Sequence, residues 1–276
     1  MQERLPFDVL VAGHYCHDTL IGKNGEVHRV LGGSAAYGQA VLRAGGARVA
    51  VVSKVGPDFL YRSQVFDNPM VVPGGRTTCF VDDYRGEERR SICDPVCEPI
   101  WPQDLPGPAR IGIACSIAGE LPEPTLRRLR ELCGVLLGDV QGLMRAIGPD
   151  GEVTHQTRFS SSWAAFDYLK ASEEEARTLD LEALMAGGTR VIVTRGERGC
   201  TLFSAGQEPL HAAAFPAVER DATGAGDCFL AGFALGLLRK LPIERALQVG
   251  NYCGARAVES VGIPRFDEAA LSAQLW

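Results

Sequence analysis

Apolar runs alternate with amphipathic stretches along most of the chain. Near its start, short apolar runs at 7–12 and 48–55 flank a small-residue helical pattern at 34–44, which predicts a β-α-β unit. The alternation returns after residue 111. Its predicted strands cover 111–114, 135–139, 168–171 and 190–194, and its predicted helices cover 123–132 and 173–179. This succession is typical of an α/β protein with a mainly parallel sheet.

The segments between and after these elements have a different pattern. Short strand-like segments at 70–72, 77–82 and 89–92 are separated by turns rich in Gly and Pro, which predicts a small flap of β-hairpins. A hairpin over 200–213 follows the last predicted parallel strand, and helical patterns then cover 224–240, 243–261 and 267–275. We therefore expect a single α/β domain over residues 1–276, with a β flap.

Composition and charge narrow the class of protein. The 276 residues are 46% hydrophobic and 22% charged, as in folded globular domains. The 28 Lys and Arg residues against 34 Asp and Glu give a net charge of −6. This balance argues against a nucleic-acid partner or an anionic membrane partner, so any phosphate site must be local.

Two further features concern the compartment. No stretch of about 18 uncharged apolar residues occurs, and the first residues lack the apolar core of a signal peptide, so we expect no membrane span. The nine cysteines are an odd number and are scattered, mostly in or beside apolar runs, as reduced thiols are. These features favour a cytoplasmic protein.

The segment 221–233 carries the strongest chemical signal. Gly224, Ala225 and Gly226 stand where a long helix is predicted to begin, and the amides of such a start can bind a phosphate without any basic side chain. Asp227 follows in the first turn, where the helix dipole favours its ionised form and lets it accept a proton. The alternative is a purely structural one, in which Asp221 or Thr223 caps the helix.

The same segment resembles a known signature. Asp221, Gly224, Gly226 and Asp227, followed by small and aromatic residues to Phe233, are similar to the C-terminal motif of the ribokinase-like (PfkB) carbohydrate kinases. The resemblance implies a three-layer α/β/α sandwich with a β lid formed mainly by about 14–32 and 70–93. It also implies that Asp227 is the catalytic base and that the amides from Gly224 onward hold the transferred phosphoryl group.

The resemblance extends to the N-terminal part of the chain. Gly32 and Gly33 look like the paired glycines that bring the substrate against the backbone in this family, although Ser34 as a helix cap would also explain them. Asp18 matches the aspartate that binds sugar hydroxyls in the family. The competing interpretation of Asp18 is a solvated aspartate in a turn.

A third similarity concerns the divalent metal. The segment 170–175 falls where the family has Lys-x-Asn-x-x-Glu, so the resemblance gives Glu175 a role in holding Mg²⁺ through water. Ser172 replaces the family asparagine and is expected to alter the water network, unless it serves as a helix cap.

The expected nucleotide site also follows from the resemblance. Thr194, Gly196 and Gly199 correspond to the turn at the phosphates of ATP. Val218 and Asn251 correspond to the adenosine groove, with a buried hydrogen-bonded asparagine as the alternative for Asn251. Asp221 and Thr223 match positions that bind a monovalent cation such as K⁺ in many relatives.

Three stretches are most similar to the plant-type myo-inositol kinase branch of this family. They are 13–18, 138–143 and 168–176, and the second contains Gln141, a candidate substrate-binding residue. The expected reaction is transfer of the γ-phosphoryl group of ATP to a hydroxyl of a small polyol or sugar, with myo-inositol as the best candidate. Family lids often pair between subunits, so a homodimer through the lid is a further expectation.

Other functions stay open at this level. A ribose-type, fructose-type or nucleoside kinase has the same motifs, and a non-catalytic sugar or nucleotide sensor would share the fold. A hydrolase that uses Asp227 on a phosphorylated substrate is a third alternative. The sequence has no P-loop, and His14, Cys16 and His17 lack the second pair of ligands that a zinc site needs.

Overall fold

The structure, a computed structural model, describes residues 5–87, 89–156 and 165–275. The strands in these residues are β1 (Phe7–Ala12), β2 (Cys16–Ile21), β3 (Val27–Gly32), β4 (Val49–Val52), β5 (Lys54–Val55), β6 (Met70–Val71), β7 (Cys79–Asp83), β8 (Arg90–Cys93), β9 (Ala109–Ala114), β10 (Cys133–Asp139), β11 (Arg145–Ile147), β12 (Val153–His155), β13 (Tyr168–Ser172), β14 (Arg190–Thr194), β15 (Cys200–Phe203) and β16 (Leu210–Ala212). The helices are α1 (Ser34–Ala44), α2 (Glu123–Leu132), α3 (Val140–Met144), α4 (Glu173–Ala176), α5 (Leu181–Ala186), α6 (Ala225–Leu238), α7 (Ile243–Ala257) and α8 (Glu268–Gln274).

The central sheet has eight strands in the order β16-β15-β14-β13-β10-β9-β1-β4. The strands from β14 to β4 run parallel, β15 runs antiparallel to β14, and β16 runs antiparallel to β15. Because parallel strands end at one edge of a sheet, residues that follow β1, β10 and β13 converge there although they are far apart in sequence.

Two apolar cores lie on the two faces of this sheet. Along β1, Val9 and Val11 contribute to one core, and Leu10 and Ala12 contribute to the other. The first core is covered by α1, α6 and α7, and the second by α2 and α5. This arrangement confirms the predicted α/β/α sandwich. Helix α6 packs between α1 and α7, which explains why it is apolar nearly all the way round.

The lid is a separate four-stranded sheet in the order β3-β2-β7-β8. Strand β2 pairs antiparallel with β3 and parallel with β7, so the first part of the lid starts directly after β1. The interpretation of 70–72 as a lid strand is wrong. Strand β6 pairs parallel with β5 in a small sheet of its own, and the Met70 amide donates to the Ser53 carbonyl at 2.9 Å.

Several element boundaries differ from the predicted ones. The predicted strand 48–55 is divided into β4 and β5, the helix at 173–179 is the single turn α4, and the helix from 243 ends at Ala257. Helix α3 and the hairpin β11–β12 were not predicted. Each strand of that hairpin has three residues, which is too short for a hydrophobic period to show.

Two findings bear on the expected compartment. None of the described helices is long and apolar enough to span a membrane. All nine cysteines lie within the described residues and are free, and eight of them are buried.

Candidate active site

A polar cavity of about 160 Å³ lies between the lid and the carboxyl edge of the central sheet. It brings together, from distant parts of the chain, seven of the predicted site residues. They are Asp18, Gly33, Gln141, Thr223, Gly224, Gly226 and Asp227. Charged residues that had no predicted role also line it: Asp82, Arg89, Asp139, Arg145 and Lys170. The cavity therefore contains both the predicted phosphate-binding helix start and the predicted acceptor-binding aspartate.

The start of α6 has the geometry expected of an anion site. Gly224 adopts a left-handed backbone with φ of 76°, and a Cβ there would lie 2.1 Å from the ring of Tyr37. Only glycine fits this position. The Cys228 amide donates to the Gly224 carbonyl at 2.9 Å, so the amides of Gly226 and Asp227 precede the bonds of the helix. The Ala225 amide instead donates to the Ala222 carbonyl at 3.3 Å.

Asp227 lies half-buried at this helix start and faces the cavity. Burial raises its pKa to about 6, the neighbouring Asp139 adds to the rise, and the Lys170 ammonium opposes it. A carboxylate with this pKa is ionised at neutral pH yet basic enough to take a proton from a reacting hydroxyl.

Lys170 and Asp139 form a buried ion pair beside Asp227. The Lys170 Nζ lies 2.6 Å from the Asp139 Oδ2, because Asp139 at the end of β10 stands opposite Lys170 in β13. Burial disfavours the charge of Lys170, but the carboxylates of Asp139, Glu175 and Asp227 outweigh it and raise the lysine pKa. A Cβ on Gly226 would lie only 2.5 Å from Nζ, so the ammonium lies directly against the helix start.

Sequence reasoning missed the Lys170–Asp139 pair, although a signal was present. Each residue is charged and stands at the carboxyl end of a predicted apolar parallel strand, which is where ligand sites form in open α/β sheets. The pairing itself depends on β10 and β13 being neighbours in the sheet, and the chain order alone does not give that.

Asp18 reaches the cavity from the lid strand β2 and is only 7% exposed. Burial raises its pKa to about 6, although a hydrogen bond from Cys16 opposes the rise, and Asp82 adds to it. The paired glycines are explained by contacts. A Cβ on Gly32 would lie 1.9 Å from the Asp18 carboxylate. Gly33 has a φ of 94°, and a Cβ on it would lie 2.2 Å from the His14 carbonyl oxygen.

The lid contributes a second carboxylate that sequence reasoning missed. Asp82 on β7 is buried and accepts two hydrogen bonds from the Arg89 guanidinium, at 3.0 and 2.8 Å, and one from the Ser91 hydroxyl. The Arg89 guanidinium in turn lies over the ring of Tyr84. Because all four residues belong to the β7–β8 hairpin, the hairpin holds this carboxylate in the cavity by itself.

Arg145 brings a positive charge to the cavity from the unpredicted hairpin β11–β12. Its Nη1 donates to the Ile117 carbonyl at 3.1 Å, and its guanidinium lies 5.4 Å from the ring centroid of Phe80 on the lid. Arg145 lowers the pKa of both Asp18 and Asp227 against the stronger effect of burial. It therefore contacts both the central part of the protein and the lid, and its charge acts on both Asp18 and Asp227.

Glu175 and Ser172 cap the start of α4, which agrees with the helix-cap alternative for Ser172. They form a capping box, in which the Ser172 amide donates to Glu175 Oε2 at 2.7 Å and the Glu175 amide donates to Ser172 Oγ at 3.2 Å. No cluster of three or more His, Cys, Asp or Glu side chains suited to a metal occurs among the described residues. The donor set fits a magnesium ion held mainly by phosphate oxygens and water.

Asp221 fits the predicted cation site. Its Oδ1 accepts the amide of Thr223 at 2.9 Å, and its Oδ2 is buried without a hydrogen-bond partner among the described residues. A buried carboxylate oxygen of this kind is costly unless a proton donor or a cation meets it.

The predicted nucleotide residues are not part of the cavity lining and lie at the end of β14, in the turn after it, in the connection before α6 and in α7. Gly196 and Gly199 both have positive φ in the turn between β14 and β15, directly after Thr194. Val218 is 76% exposed. Asn251 donates both amide protons, to the carbonyls of Ala212 and Ala213 at 3.0 and 2.9 Å, which agrees with the alternative of a structural asparagine.

A helix start whose first amides face a lidded polar cavity, with a carboxylate beside them, fits a phosphotransferase that acts on an alcohol group. Residues 109–265 match the pfkB family of carbohydrate kinases. The chain is 40% identical to inositol 3-kinase of Oryza sativa subsp. japonica, over 96% of this chain and 71% of the relative. It is 36% identical to inositol 3-kinase of Arabidopsis thaliana, over 94% of this chain and 76% of the relative. The chain belongs to the pfkB family of carbohydrate kinases, and is thus an ATP-using phosphotransferase.

Solved structures share the fold. One is a pyrophosphate-dependent kinase in the ribokinase family, complexed with a pyrophosphate analog and myo-inositol. It has a TM-score of 0.82 at 20% identity, over 96% of this chain and 99% of that one. Arabidopsis thaliana ribokinase, complexed with ribose and ATP, has a TM-score of 0.75 at 18% identity, over 97% and 98%. These likenesses confirm the ribokinase-like fold predicted from the sequence.

Proposed function

We propose that this protein transfers the γ-phosphoryl group of ATP to a hydroxyl of myo-inositol. The observation that carries the proposal is the cavity in which Asp18 and Asp82 of the lid share one small polar space with Asp227 and the start of α6. Carboxylates are suited to accept hydrogen bonds from a polyol with several neighbouring hydroxyls. The identity of 36% and 40% to two plant inositol 3-kinases supports the same acceptor.

Asp227 acts as the base in this reaction. The acceptor oxygen forms a bond to the γ-phosphorus while the bond from that phosphorus to the bridging oxygen breaks, and the acceptor proton moves to the Asp227 carboxylate. ADP leaves with the bridging oxygen. The amides of Gly226 and Asp227 and the Lys170 ammonium offset the negative charge on the phosphoryl oxygens. Gly224 lets the chain turn so that these amides face the cavity, and Ala225 continues the helix.

The acceptor is held on the lid side. Asp18 accepts hydrogen bonds from its hydroxyls, the backbone at Gly32 and Gly33 lets it approach closely, and Gln141 at the start of α3 adds a further polar contact. Closure of the lid over the cavity excludes water and so limits hydrolysis of ATP.

The remaining predicted residues serve the donor. Glu175 would hold Mg²⁺ through water, and the ion would neutralise charge on the phosphates. Asp221 and Thr223 would hold a monovalent cation such as K⁺ beside the helix start. Thr194, Gly196 and Gly199 would contact the phosphates of ATP, with Val218 and Asn251 near the adenosine.

We further infer a cytoplasmic protein that pairs through its lid. Nine free cysteines suit a reducing compartment. Strand β3 pairs only with β2 among the described residues, and Val27 on it is 51% exposed, so the lid sheet offers an edge to a second copy. Light scattering coupled to gel filtration measures the mass in solution, and a mass near 30 kDa at all concentrations contradicts the dimer.

The acceptor is tested with purified protein, Mg·ATP and a panel of myo-inositol, ribose, fructose, adenosine and cytidine. We expect ADP formation that depends on myo-inositol. A parallel set has pyrophosphate in place of ATP, and formation of the phosphorylated acceptor is compared between the two donors. ADP formation with another acceptor alone would contradict the inositol proposal and keep the kinase, whereas ATP binding without turnover on any acceptor would favour a sensor.

A further inference from the structure

The thiol of Cys16 meets the acceptor-binding carboxylate inside the cavity. Cys16 and Asp18 alternate with His17 along β2 and so lie on the same face of the lid sheet. The Cys16 Sγ donates a hydrogen bond to the Asp18 Oδ1 at 2.9 Å. The residues are 1% and 7% exposed, and both line the cavity.

The other carboxylate oxygen of Asp18 is confined by Gly32. In the antiparallel pair of β2 and β3, Gly32 stands directly opposite Cys16. A Cβ on Gly32 would lie 1.9 Å from Asp18 Oδ2. The Asp18 carboxylate therefore lies over Cys16 and Gly32. Its Oδ1 accepts the hydrogen bond from the thiol, and its Oδ2 lies where a side chain on Gly32 would be.

The chemistry of the thiol suits this role. Burial, reinforced by the charge of Asp18, raises the pKa of Cys16 well above its usual range, so the group keeps its proton and acts as a donor. The charged groups that face Asp18 are Asp82, Arg89 and Arg145. Both arginines have other partners, Asp82 for Arg89 and the Ile117 carbonyl for Arg145. Within the described part of the chain, Cys16 supplies the one hydrogen bond to the Asp18 side chain.

We propose that Cys16 is a positioning residue for acceptor binding, which fixes the Asp18 carboxylate in the orientation that meets the acceptor hydroxyls. This inference rests on the proposed role of Asp18 as the acceptor ligand. Cys16 itself stays thiol throughout and takes no part in the transfer of the phosphoryl group.

The test compares Cys16→Ala and Cys16→Ser with Cys133→Ala. Cys133 is a matched control, since it is also a buried free cysteine but packs in a core of the central sheet, outside the cavity lining. We expect Cys16→Ala to raise the KM for myo-inositol about tenfold, as loss of a hydrogen bond to a charged group does, with the kcat and the KM for ATP within twofold. Cys16→Ser keeps a donor and should restore the KM to within about threefold. Cys133→Ala should leave it unchanged.

A pH profile of acceptor binding separates positioning from packing. The thiol lowers the pKa of Asp18, so its removal in Cys16→Ala should move the acid limb of inositol binding to higher pH, and Cys16→Ser should move it back. Equal KM values in Cys16→Ala and wild type overturn the proposal. A Cys16→Ser variant as impaired as Cys16→Ala, with an unmoved acid limb, overturns it as well, because the effect would then come from side-chain volume.

Failure of the proposed function is recognised separately. If wild-type protein neither binds nor phosphorylates myo-inositol, that function is wrong whatever Cys16 does. A crystal structure of Cys16→Ala without acceptor then still tests the geometry. An Asp18 carboxylate rotated away from Gly32 supports the proposal, and one that keeps its wild-type orientation overturns it.

Discussion

The Lys170 ammonium lies 2.6 Å from the Asp139 carboxylate at the ends of two neighbouring strands, and the two side chains are 7% and 2% exposed. The pair lies directly against the helix start at Gly226 and beside Asp227. The cavity therefore has a buried ion pair beside the helix start, and this pair is held by the strands of the sheet.

Lys170→Met should lower both stability and turnover. Removing one partner of a buried ion pair leaves Asp139 uncompensated and costs about 3 to 5 kcal/mol of unfolding free energy, measured by urea denaturation. The double variant Lys170→Met, Asp139→Leu should recover much of this stability, because no buried charge remains. It should stay at least about 100-fold below wild type in kcat. Recovery of activity together with stability would show that the pair is only structural.

Asp227→Asn should abolish phosphoryl transfer while leaving nucleotide binding intact. The amide cannot take the acceptor proton, so kcat should fall by about 10² to 10⁴-fold. Equilibrium titration of ATP should give a dissociation constant close to that of wild type. A kcat within tenfold of wild type would remove Asp227 as the base.

Asp18→Asn should stabilise the protein in the absence of acceptor, and the gain should depend on pH. The folded pKa of Asp18, about 6, lies above its ordinary value of 3.8, so the unfolded chain ionises more readily. The stability that the protonated group provides is present below pH 3.8 and is lost as pH rises through 6. Asparagine does not ionise, so the variant keeps this stability. Above pH 7 its unfolding free energy should exceed that of wild type by about 3 kcal/mol. The advantage in unfolding free energy should shrink towards zero near pH 4, and a pH-independent difference would contradict the explanation.

Tyr37→Phe should leave the free protein as stable as wild type or more so. The Tyr37 hydroxyl is buried and has no hydrogen-bond partner among the described residues. Its removal should gain about 1 kcal/mol of unfolding free energy. Tyr15→Phe is the matched control, since the Tyr15 hydroxyl donates to Gln39 Oε1 at 3.1 Å and its loss should cost about 1 kcal/mol. Equal effects of the two substitutions would refute this reasoning.

Gly224→Ala should damage the site far more than a comparable change elsewhere. At Gly224 a Cβ meets both a left-handed backbone and the Tyr37 ring, whereas Gly206, with φ of 66°, has nothing within 4 Å of such a Cβ. Gly206→Ala should cost about 1 kcal/mol and leave kcat unchanged. Gly224→Ala should cost more and lower kcat, because the ring or the helix start must shift. Similar losses in the two variants would mean that backbone strain alone decides the outcome.

Much of the fold and part of the candidate site were predicted from local features of the chain. The strands of the central sheet were found from apolar runs, since a strand buried on both faces needs no partner to be recognised. The start of α6 after Gly224, with Asp227 in its first turn, was predicted from residues adjacent in sequence, and both residues line the cavity. Gly32 and Gly33 were found as a pair, although the contact that excludes a Cβ at Gly32 comes from Asp18.

The errors arose where pairing is decided between distant segments. The strand at 70–72 has an ordinary strand pattern, and only the position of β5 decides that it joins a small sheet rather than the lid. The hairpin β11–β12 and its Arg145 were missed because three-residue strands carry no period. Asp82 and Arg89 were assigned to the lid region, but their reach into the cavity depends on the register of β7 against β2.

The sequence by itself determined the class of fold and the start of α6 with Asp227 in its first turn, because each is encoded by neighbouring residues whose geometry follows from backbone preferences. The tertiary structure alone decided the partners of those residues. Strand order places Lys170 beside Asp139, and strand register places Cys16 opposite Gly32 beneath Asp18. Such contacts depend on how separate elements pack, and no local pattern specifies the distance between side chains on two different strands.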